Sequence, residues 1–206
     1  MPELGDQGVL FAEIAAEWDD AESVIKIAEQ VSGKVVLPAV AELRYAGRRL
    51  IDAINAALGD AEPDEIKSYL HDALFNCHCA KHDAMDAAFS QIAITLELMV
   101  KKLGYENILA AYPGFAGFYS EFEIARGRIV NSRKNRQERL PIYDEIKEIE
   151  FPEIVSKFTK IKISEKIMKA LAAKSKSKLW ISYAVAGISL ILALLAWLFP
   201  RNTSSF

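Results

Sequence analysis

The chain has few of the residues and motifs from which catalytic or cross-linked sites are commonly built. It contains two cysteines and three histidines in 206 residues. Cys77 and Cys79 are separated by one residue in a segment predicted to be helical, where a mutual disulfide is sterically unfavourable. The sequence has no Gly-rich phosphate loop, no GxSxG motif and no HExxH motif. These motifs are signatures of phosphate binding, of hydrolysis by a nucleophilic serine and of zinc proteolysis, so the sequence offers no motif for any of these three activities.

The sequence also lacks strand-like alternation of apolar and polar residues, and no internal repeat is found. Apolar residues recur instead at helical spacing. The predicted helical runs are residues 9–31, 38–59, 63–103, 115–139 and 141–150, followed by a run from residue 153. Pro141 is expected to begin a helix, and Phe151-Pro152 to interrupt it. The sequence therefore predicts an all-α protein whose soluble part is an antiparallel bundle of about four or five helices.

One long run contains no charge. Residues 179–199, LWISYAVAGISLILALLAWLF, include no Asp, Glu, Lys or Arg. As a helix rising about 1.5 Å per residue, this run extends about 30 Å, which matches the hydrocarbon core of a bilayer. Trp180 and Trp197 lie near its ends, where aromatic rings favour the membrane interfaces, and Pro200 is expected to end the helix. The run is predicted to be a single transmembrane helix.

Charge is distributed unevenly around this run. Residues 157–178 carry eight lysines against one acid, Glu165, whereas only Arg201 follows the run, and residues 1–30 carry eight acids against Lys26. The positive-inside rule then places the N-terminal side in the cytoplasm, with the basic end against the anionic surface of the inner (cell) membrane. The first residues lack a basic region followed by an apolar core, so no cleaved signal peptide is expected.

These features predict a tail-anchored protein. The predicted parts are a cytoplasmic helical domain (1–174), a basic juxtamembrane linker (175–178), a transmembrane helix (179–199) and a short extracytoplasmic tail (200–206). A cytoplasmic setting keeps the two thiols reduced.

All the histidines and cysteines fall within twelve residues of one predicted helix. They are His71, Cys77, His78, Cys79 and His82. His78 and His82 are four residues apart and share a helix face, which suits a metal. Successive residues point in different directions, however, so one ion would need donors from a second helix. Packing of small buried cysteines beside a polar face is the alternative. Packing is favoured, and neither a metal nor another cofactor is predicted.

Six cations lie between residues 126 and 139, against Glu138 alone. Three of them recur every third residue, a row that suits the phosphates of RNA, nucleotides or lipid headgroups. The alternative is a solvated row, or pairing with acids such as those of the first helix. The candidate phosphate- or lipid-headgroup-binding residues are Arg126, Arg128, Arg133, Lys134, Arg136 and Arg139.

Small residues form a seam along the predicted transmembrane helix. The seam consists of Ser182, Ala186, Ser189, Ala193 and Ala196, at spacings of four and three residues. In lipid, helices associate through close packing, which small residues permit. The seam is the predicted oligomer contact; the alternative is chance, because alanine and serine are common in membrane helices.

The segments AELRYAGRRLIDAINAAL and CHCAKHDAMDAAF, the basic helix end and the single span resemble small helical membrane proteins that accompany bacterial antiviral systems, some of which have a HEPN-like bundle. The resemblance covers most of the chain in organisation. HEPN nucleases carry an arginine and a histidine a few residues apart. The nearest arginine before His71 is Arg49, so the resemblance implies no nuclease activity and assigns no site residue.

Two functional hypotheses follow. The first is a self-associating, tail-anchored membrane protein without enzymatic activity, acting through protein contacts as an antiviral effector that alters membrane permeability. The alternative is a membrane-tethered helical module that binds or senses a nucleotide or RNA; a metal-dependent enzyme is a third and less favoured hypothesis. The membrane, further copies of the chain and a protein partner are the expected partners, and contact with nucleic acid is left open.

Overall fold

The computed structural model describes residues 5–59, 61–134 and 136–198. Every regular element in these ranges is helical, with no strand, which confirms the predicted all-α class. The elements are α1 (Gly5–Ser32), α2 (Leu37–Leu58), α3 (Pro63–Leu103), α4 (Tyr105–Ala111), α5 (Phe115–Ser132), α6 (Arg136–Glu145), a π-helical turn (Ile146–Glu150), α7 (Phe151–Ile163) and α8 (Glu165–Leu198). Phe199 at the end of the predicted span and the predicted tail 200–206 lie outside the described residues.

The ends of the long helices follow local signals in the sequence. α1 ends at Ser32, and Gly33 takes a positive φ of 70° while its N–H donates to the carbonyl of Glu29 at 2.7 Å. α3 ends at Leu103, before Gly104 with a φ of 81°. Glycine reaches this left-handed region at little cost, so the predicted helix stops at both positions are confirmed.

The prolines of α6 and α7 behave differently from the prediction. Pro141 lies inside α6 rather than at its start, and Phe151-Pro152 does not interrupt the helical path. The N–H of Phe151 donates to the carbonyl of Ile146, five residues back, which is the hydrogen bond of a π-helical turn. This wider turn lets the chain enter α7 with Pro152 in the first turn, where a missing N–H costs little.

The described residues divide into two compact units, formed by residues 5–98 with 117–159 and by residues 99–116 with 160–198. The first has an aromatic core. Phe89 stacks on Phe122 and Phe151, with ring centroids 5.6 and 6.0 Å apart, and Phe118 stacks on Phe122. Predicted core positions on α3 and α5 are buried in this unit at Phe89, Ile92, Leu96, Phe118, Phe122 and Ile129, and in the second unit at Met99 and Phe115. Leu103, also predicted to be core, is only partly buried.

The buried face of α2 differs from the predicted one. Leu43 and Ala46 are buried as predicted, but Ile54 and Leu58 are 44% and 82% exposed. The other buried positions of the helix are Ala39 and Ala53. Helix α2 therefore packs largely through alanines, whose small side chains permit close approach to a neighbouring helix. Leu50, partly buried, lines an apolar groove of about 320 Å³ with Ile54 and residues of α1.

The second unit has a smaller core and contains α4 packed against α8. Its buried residues include Ile108, Phe115, Ile161, Met168 and Ala172. Helix α8 continues from this core through the predicted linker, residues 175–178, without a break. Among the described helices, α8 is long and apolar enough over Glu165–Leu195 to cross a membrane. None of the most apolar stretch in this range is buried.

Candidate functional site

A buried lysine lies at the centre of the most polar part of the first unit. Lys81 in α3 is 1% exposed. Its Nζ donates to Glu17 Oε2 at 2.9 Å, to Asp20 Oδ2 at 3.3 Å and to Asp144 Oδ1 at 2.7 Å. Because an ammonium group is costly to bury unless it is paired, these three carboxylates are what permit a lysine at this position.

Helices α1 and α6 supply the partners of Lys81. Glu17 and Asp20 are three residues apart and share one face of α1. Lys147, in the π-helical turn, places its Nζ 2.8 Å from Asp20 Oδ1. Together Glu17, Asp20, Lys81, Asp144 and Lys147 form what we call the Lys81 cluster. It joins three segments that are far apart in sequence.

The contacts within the Lys81 cluster shift the pKa values of Lys81 and Asp20 so that the charged forms are favoured. Burial alone would lower the pKa of Lys81, but hydrogen bonds to Asp144 and Glu17 outweigh burial and raise it. Burial would raise the pKa of Asp20, yet the hydrogen bond with Lys147 and the charge of Lys81 lower it. The lysine and this aspartate therefore stay charged at neutral pH.

A series of hydrogen-bonded side chains, Tyr143, Asp86 and Arg133, lies near the Lys81 cluster. Tyr143 on α6 donates its hydroxyl hydrogen to Asp86 Oδ1 at 2.7 Å, and Asp86 Oδ2 lies 2.6 Å from an Nη of Arg133. Burial, followed by the hydrogen bond to Asp86, raises the pKa of Tyr143 to about 12. The ring of His82 packs on the Tyr143 ring, with centroids 4.0 Å apart.

A cleft between α3 and α6 lies next to these side chains. We call it the α3–α6 cleft; its volume is about 330 Å³, and it is lined by Phe75, His78, Cys79, His82, Arg139 and Leu140. His82 is 5% exposed, and burial, followed by the charges of Arg139 and Lys81, lowers its pKa to about 3. Its imidazole is therefore neutral at physiological pH. His78 Nδ1 lies 3.2 Å from Glu17 Oε2 but lacks the alignment of a hydrogen bond.

The predicted histidine and cysteine cluster is not arranged as a metal centre in the part of the chain that the structure describes. No group of three or more His, Cys, Asp or Glu side chains there is placed to hold an ion. Both thiols are free. Burial raises the pKa of Cys77 to about 11 and also raises that of Cys79, so both remain thiols rather than metal-binding thiolates. That no metal binds stays a prediction.

The six predicted cationic site residues do not share one environment. Arg128 pairs with Glu145 and Glu150 at 2.5 and 2.6 Å, and Arg133 pairs with Asp86. The others are Arg126, 3.3 Å from Glu123; Lys134, exposed; Arg139, in the α3–α6 cleft; and Arg136, whose side chain lies outside the described residues. Two acids of α1, Glu17 and Asp20, bind Lys81 and Lys147 instead of this stretch. Phosphate or headgroup binding stays a prediction.

The predicted oligomer contact lies on the bare part of α8. Ser182, Ala186, Ser189 and Ala193 are exposed, and the side chain of Ala196 lies outside the described residues. The hydroxyls of Ser182 and Ser189 donate to the carbonyls of Lys178 and Val185 at 3.0 and 2.9 Å. Because both hydroxyls are satisfied within the helix, the seam presents a small and largely apolar surface. Its role as a contact stays a prediction.

Sequence reasoning did not single out Lys81, Tyr143 or Asp144. One signal was available for Lys81. It lies four residues after Cys77 and three before Ala84, on a face of α3 where both of these neighbours are small and buried. A single lysine on such a face needs buried carboxylates, and the acids of α1 were the obvious source.

No protein-family model, curated protein or solved structure matches the chain. The features that bear on function are therefore those of the molecule itself, namely the exposed apolar part of α8 and the polar groups around the α3–α6 cleft.

Proposed function

We propose that the chain is a single-pass membrane protein without enzymatic activity, anchored by the apolar part of α8. The observation that supports this is the most apolar stretch of the candidate span Glu165–Leu195, none of which is buried. Trp180 and Leu190 are 77% and 64% exposed, for example. Soluble monomers rarely expose contiguous apolar patches above a few hundred Å². A bilayer covers such a helix and removes the cost of its contact with water.

In this proposal the packed helices form an antiparallel bundle on the cytoplasmic side of the inner membrane. Lys174, Lys176 and Lys178 are exposed on α8 just before the apolar residues. Lysines at this position are attracted to anionic lipids by about 1 kcal/mol each. Their side of the helix therefore stays cytoplasmic under the positive-inside rule.

Removing the span tests the anchor. A protein that ends at Lys174 should stay helical and move from the membrane pellet to the supernatant, whereas the full chain stays in the pellet after a high-salt wash. Fractionation with far-UV circular dichroism of the released protein measures this. The matched control is the full chain with Lys174, Lys176 and Lys178 changed to glutamine, which should still pellet because the span remains. A shortened protein that stays in the washed pellet would contradict the single anchor.

We further propose that copies associate through the small-residue seam and that the assembly alters membrane permeability, as an antiviral effector would. Support for the seam comes from its exposed alanines and from serines that are satisfied within the helix. Close backbone approach at such positions is a common basis for helix association in lipid.

Bulk on the seam should break the association. In the Ala186→Ile, Ala193→Ile double variant, crosslinking in membranes should lose its higher bands, and dye leakage from overproducing cells should fall, while the protein stays anchored. Ala184→Ile is the control, because residue 184 lies on the opposite face of the helix. Unchanged crosslinking in the double variant would show that any association belongs to the cytoplasmic helices, and absent leakage from cells with the native chain would remove the permeability proposal.

The alternative function, binding of a nucleotide or RNA by the tethered helices, is favoured by one observation, the position of Arg139 in the α3–α6 cleft. An extended RNA site is less well supported, because Arg128 and Arg133 are engaged by Glu145, Glu150 and Asp86.

A further inference from the structure

The α3–α6 cleft has the size and lining of a small-molecule site. Its volume of about 330 Å³ lies at the lower end of the range for ligand pockets. Phe75 and Leu140 give it apolar walls, and Phe75 is 65% exposed at this surface. A cleft of this size accommodates one ring system with a short substituent.

Three buried polar atoms on residues that line the cleft lack a hydrogen-bond partner among the described residues. Nδ1 of His78 lies 3.2 Å from Glu17 Oε2, and the other two are Nε2 of His82 and Nε of Arg139. A buried polar atom without a hydrogen bond costs about 1–3 kcal/mol, and native structures leave few of them. His82 is 95% buried and lines the cleft, so its ring has little contact with bulk solvent. The unpartnered atoms of His82 and Arg139 favour a ligand that has a polar end.

The charges around the cleft favour an anion. Arg139 is cationic and has no ion pair with a described residue, whereas Arg133 is paired with Asp86. The guanidinium of Arg139 lies 5.5 Å from the centroid of the Tyr143 ring, and this cation–π contact holds the guanidinium in place. Glu17, the acid near His78, is already bound by Lys81. Glu42 and Asp83, whose charges act on Cys79, do not line the cleft themselves. Arg139 also disfavours a metal ion at His78 and His82, since a second cation would be repelled.

We propose that the α3–α6 cleft binds a small molecule that combines an aromatic ring with one anionic group, either a carboxylate or a phosphate. The anionic group pairs with Arg139, a polar atom of the ligand hydrogen-bonds to His82 Nε2, and the ring packs against Phe75 and Leu140. This site is separate from the proposed anchor, so it adds ligand binding to the proposed membrane function and does not depend on it.

Two probes distinguish the sources of the anion. The full chain in detergent micelles is titrated with 4-fluorobenzoate, followed by ¹⁹F NMR, and with phenyl phosphate, followed by equilibrium dialysis. Saturable binding of either probe is expected. Binding of the benzoate alone assigns a carboxylate ligand, and binding of phenyl phosphate alone assigns a phosphate ligand. If neither saturates up to about millimolar concentration, where even weak specific binding is measurable, the proposal fails.

Variants locate the binding. Arg139→Gln should lower the affinity for the probe by about tenfold or more, because hydrogen bonds to charged groups are among the strongest in proteins. Arg48→Gln is the matched control, an exposed arginine on α2 that pairs with Asp52 and lies outside the cleft lining; it should bind as the native chain does. The same detergent in every titration cancels partition of the probe into micelles. Phe75→Ala, at an exposed position, should also weaken binding and covers the case in which Arg139→Gln fails to fold. Equal affinity in all variants would overturn the proposal, as would stoichiometric Zn²⁺ in the native chain that is lost in the His78→Gln, His82→Gln double variant.

Discussion

Replacing Lys81 by methionine is expected to lower the free energy of unfolding by about 3–5 kcal/mol, the range for breaking a buried ion pair by removing one partner. Methionine keeps most of the volume of the side chain but removes the charge. Glu17 and Asp144 then lose the cation that lies within 3 Å of each, whereas Asp20 keeps a second cation, Lys147. Repulsion among the remaining carboxylates adds to the loss.

Chemical denaturation of the full chain in micelles, followed by circular dichroism, measures this effect. Lys101→Met is the control, an exposed lysine in the same helix, and should change stability by less than about 0.5 kcal/mol. Adding Glu17→Gln and Asp144→Asn to Lys81→Met should recover part of the loss, because the amides need no cation. If Lys81→Met is as stable as Lys101→Met, the ion pairs of the Lys81 cluster contribute little to the fold.

The second large effect is a loss of stability as pH falls. Burial, followed by the charges of Arg139, Lys81 and His78, lowers the pKa of His82 to about 3, whereas a histidine in the unfolded chain has a pKa of about 6.5. Between these values the unfolded state binds one more proton than the folded state. Stability is therefore complete above about pH 6.5 and declines as pH falls towards 3, by about 1.4 kcal/mol per pH unit.

Glu42 and Asp83 act in the opposite direction. Burial, followed by a neighbouring carboxylate, raises the pKa of each, so protonation of these two acids favours the folded state as pH falls. Both acids remain in the His82→Gln variant, which isolates the histidine. Between pH 7 and 5 the native chain should lose about 2 kcal/mol more unfolding free energy than His82→Gln. His71→Gln, at an exposed position of the same helix, should follow the native chain. Identical pH slopes for native and His82→Gln proteins would mean that His82 is protonated as readily when folded as when unfolded.

Local patterns were sufficient to predict much of the fold. The limits of α3 followed from Pro63 and Gly104, and the burial of Phe118 and Phe122 followed from their helical spacing. These features depend on neighbours a few residues away, which the sequence displays directly. The exposed apolar part of α8 is of the same kind, because its composition alone determines it.

Other features depend on contacts between distant segments. The buried face of α2 is set by how closely its alanines approach a neighbouring helix, and apolar spacing did not reveal that Leu58 faces solvent. Pro152 is accommodated by a π-helical turn that no simple proline rule anticipates. Lys81 meets partners 61 to 64 residues away, so its helix face indicates that it needs buried carboxylates but does not identify them. The α3–α6 cleft beside the Lys81 cluster has no local pattern that predicts it.

The continuity of α8 makes it a stiff lever. Its 34 residues extend about 50 Å, and no proline interrupts it between Met168, buried in the second unit, and the apolar residues beyond Trp180. A span adapts to bilayer thickness by tilting. Because the helix has no hinge there, a tilt or rotation of the proposed span is transmitted to the packing of α8 against α4. Under the proposed anchoring, bilayer thickness and tension thus become mechanical inputs to the cytoplasmic part of the protein.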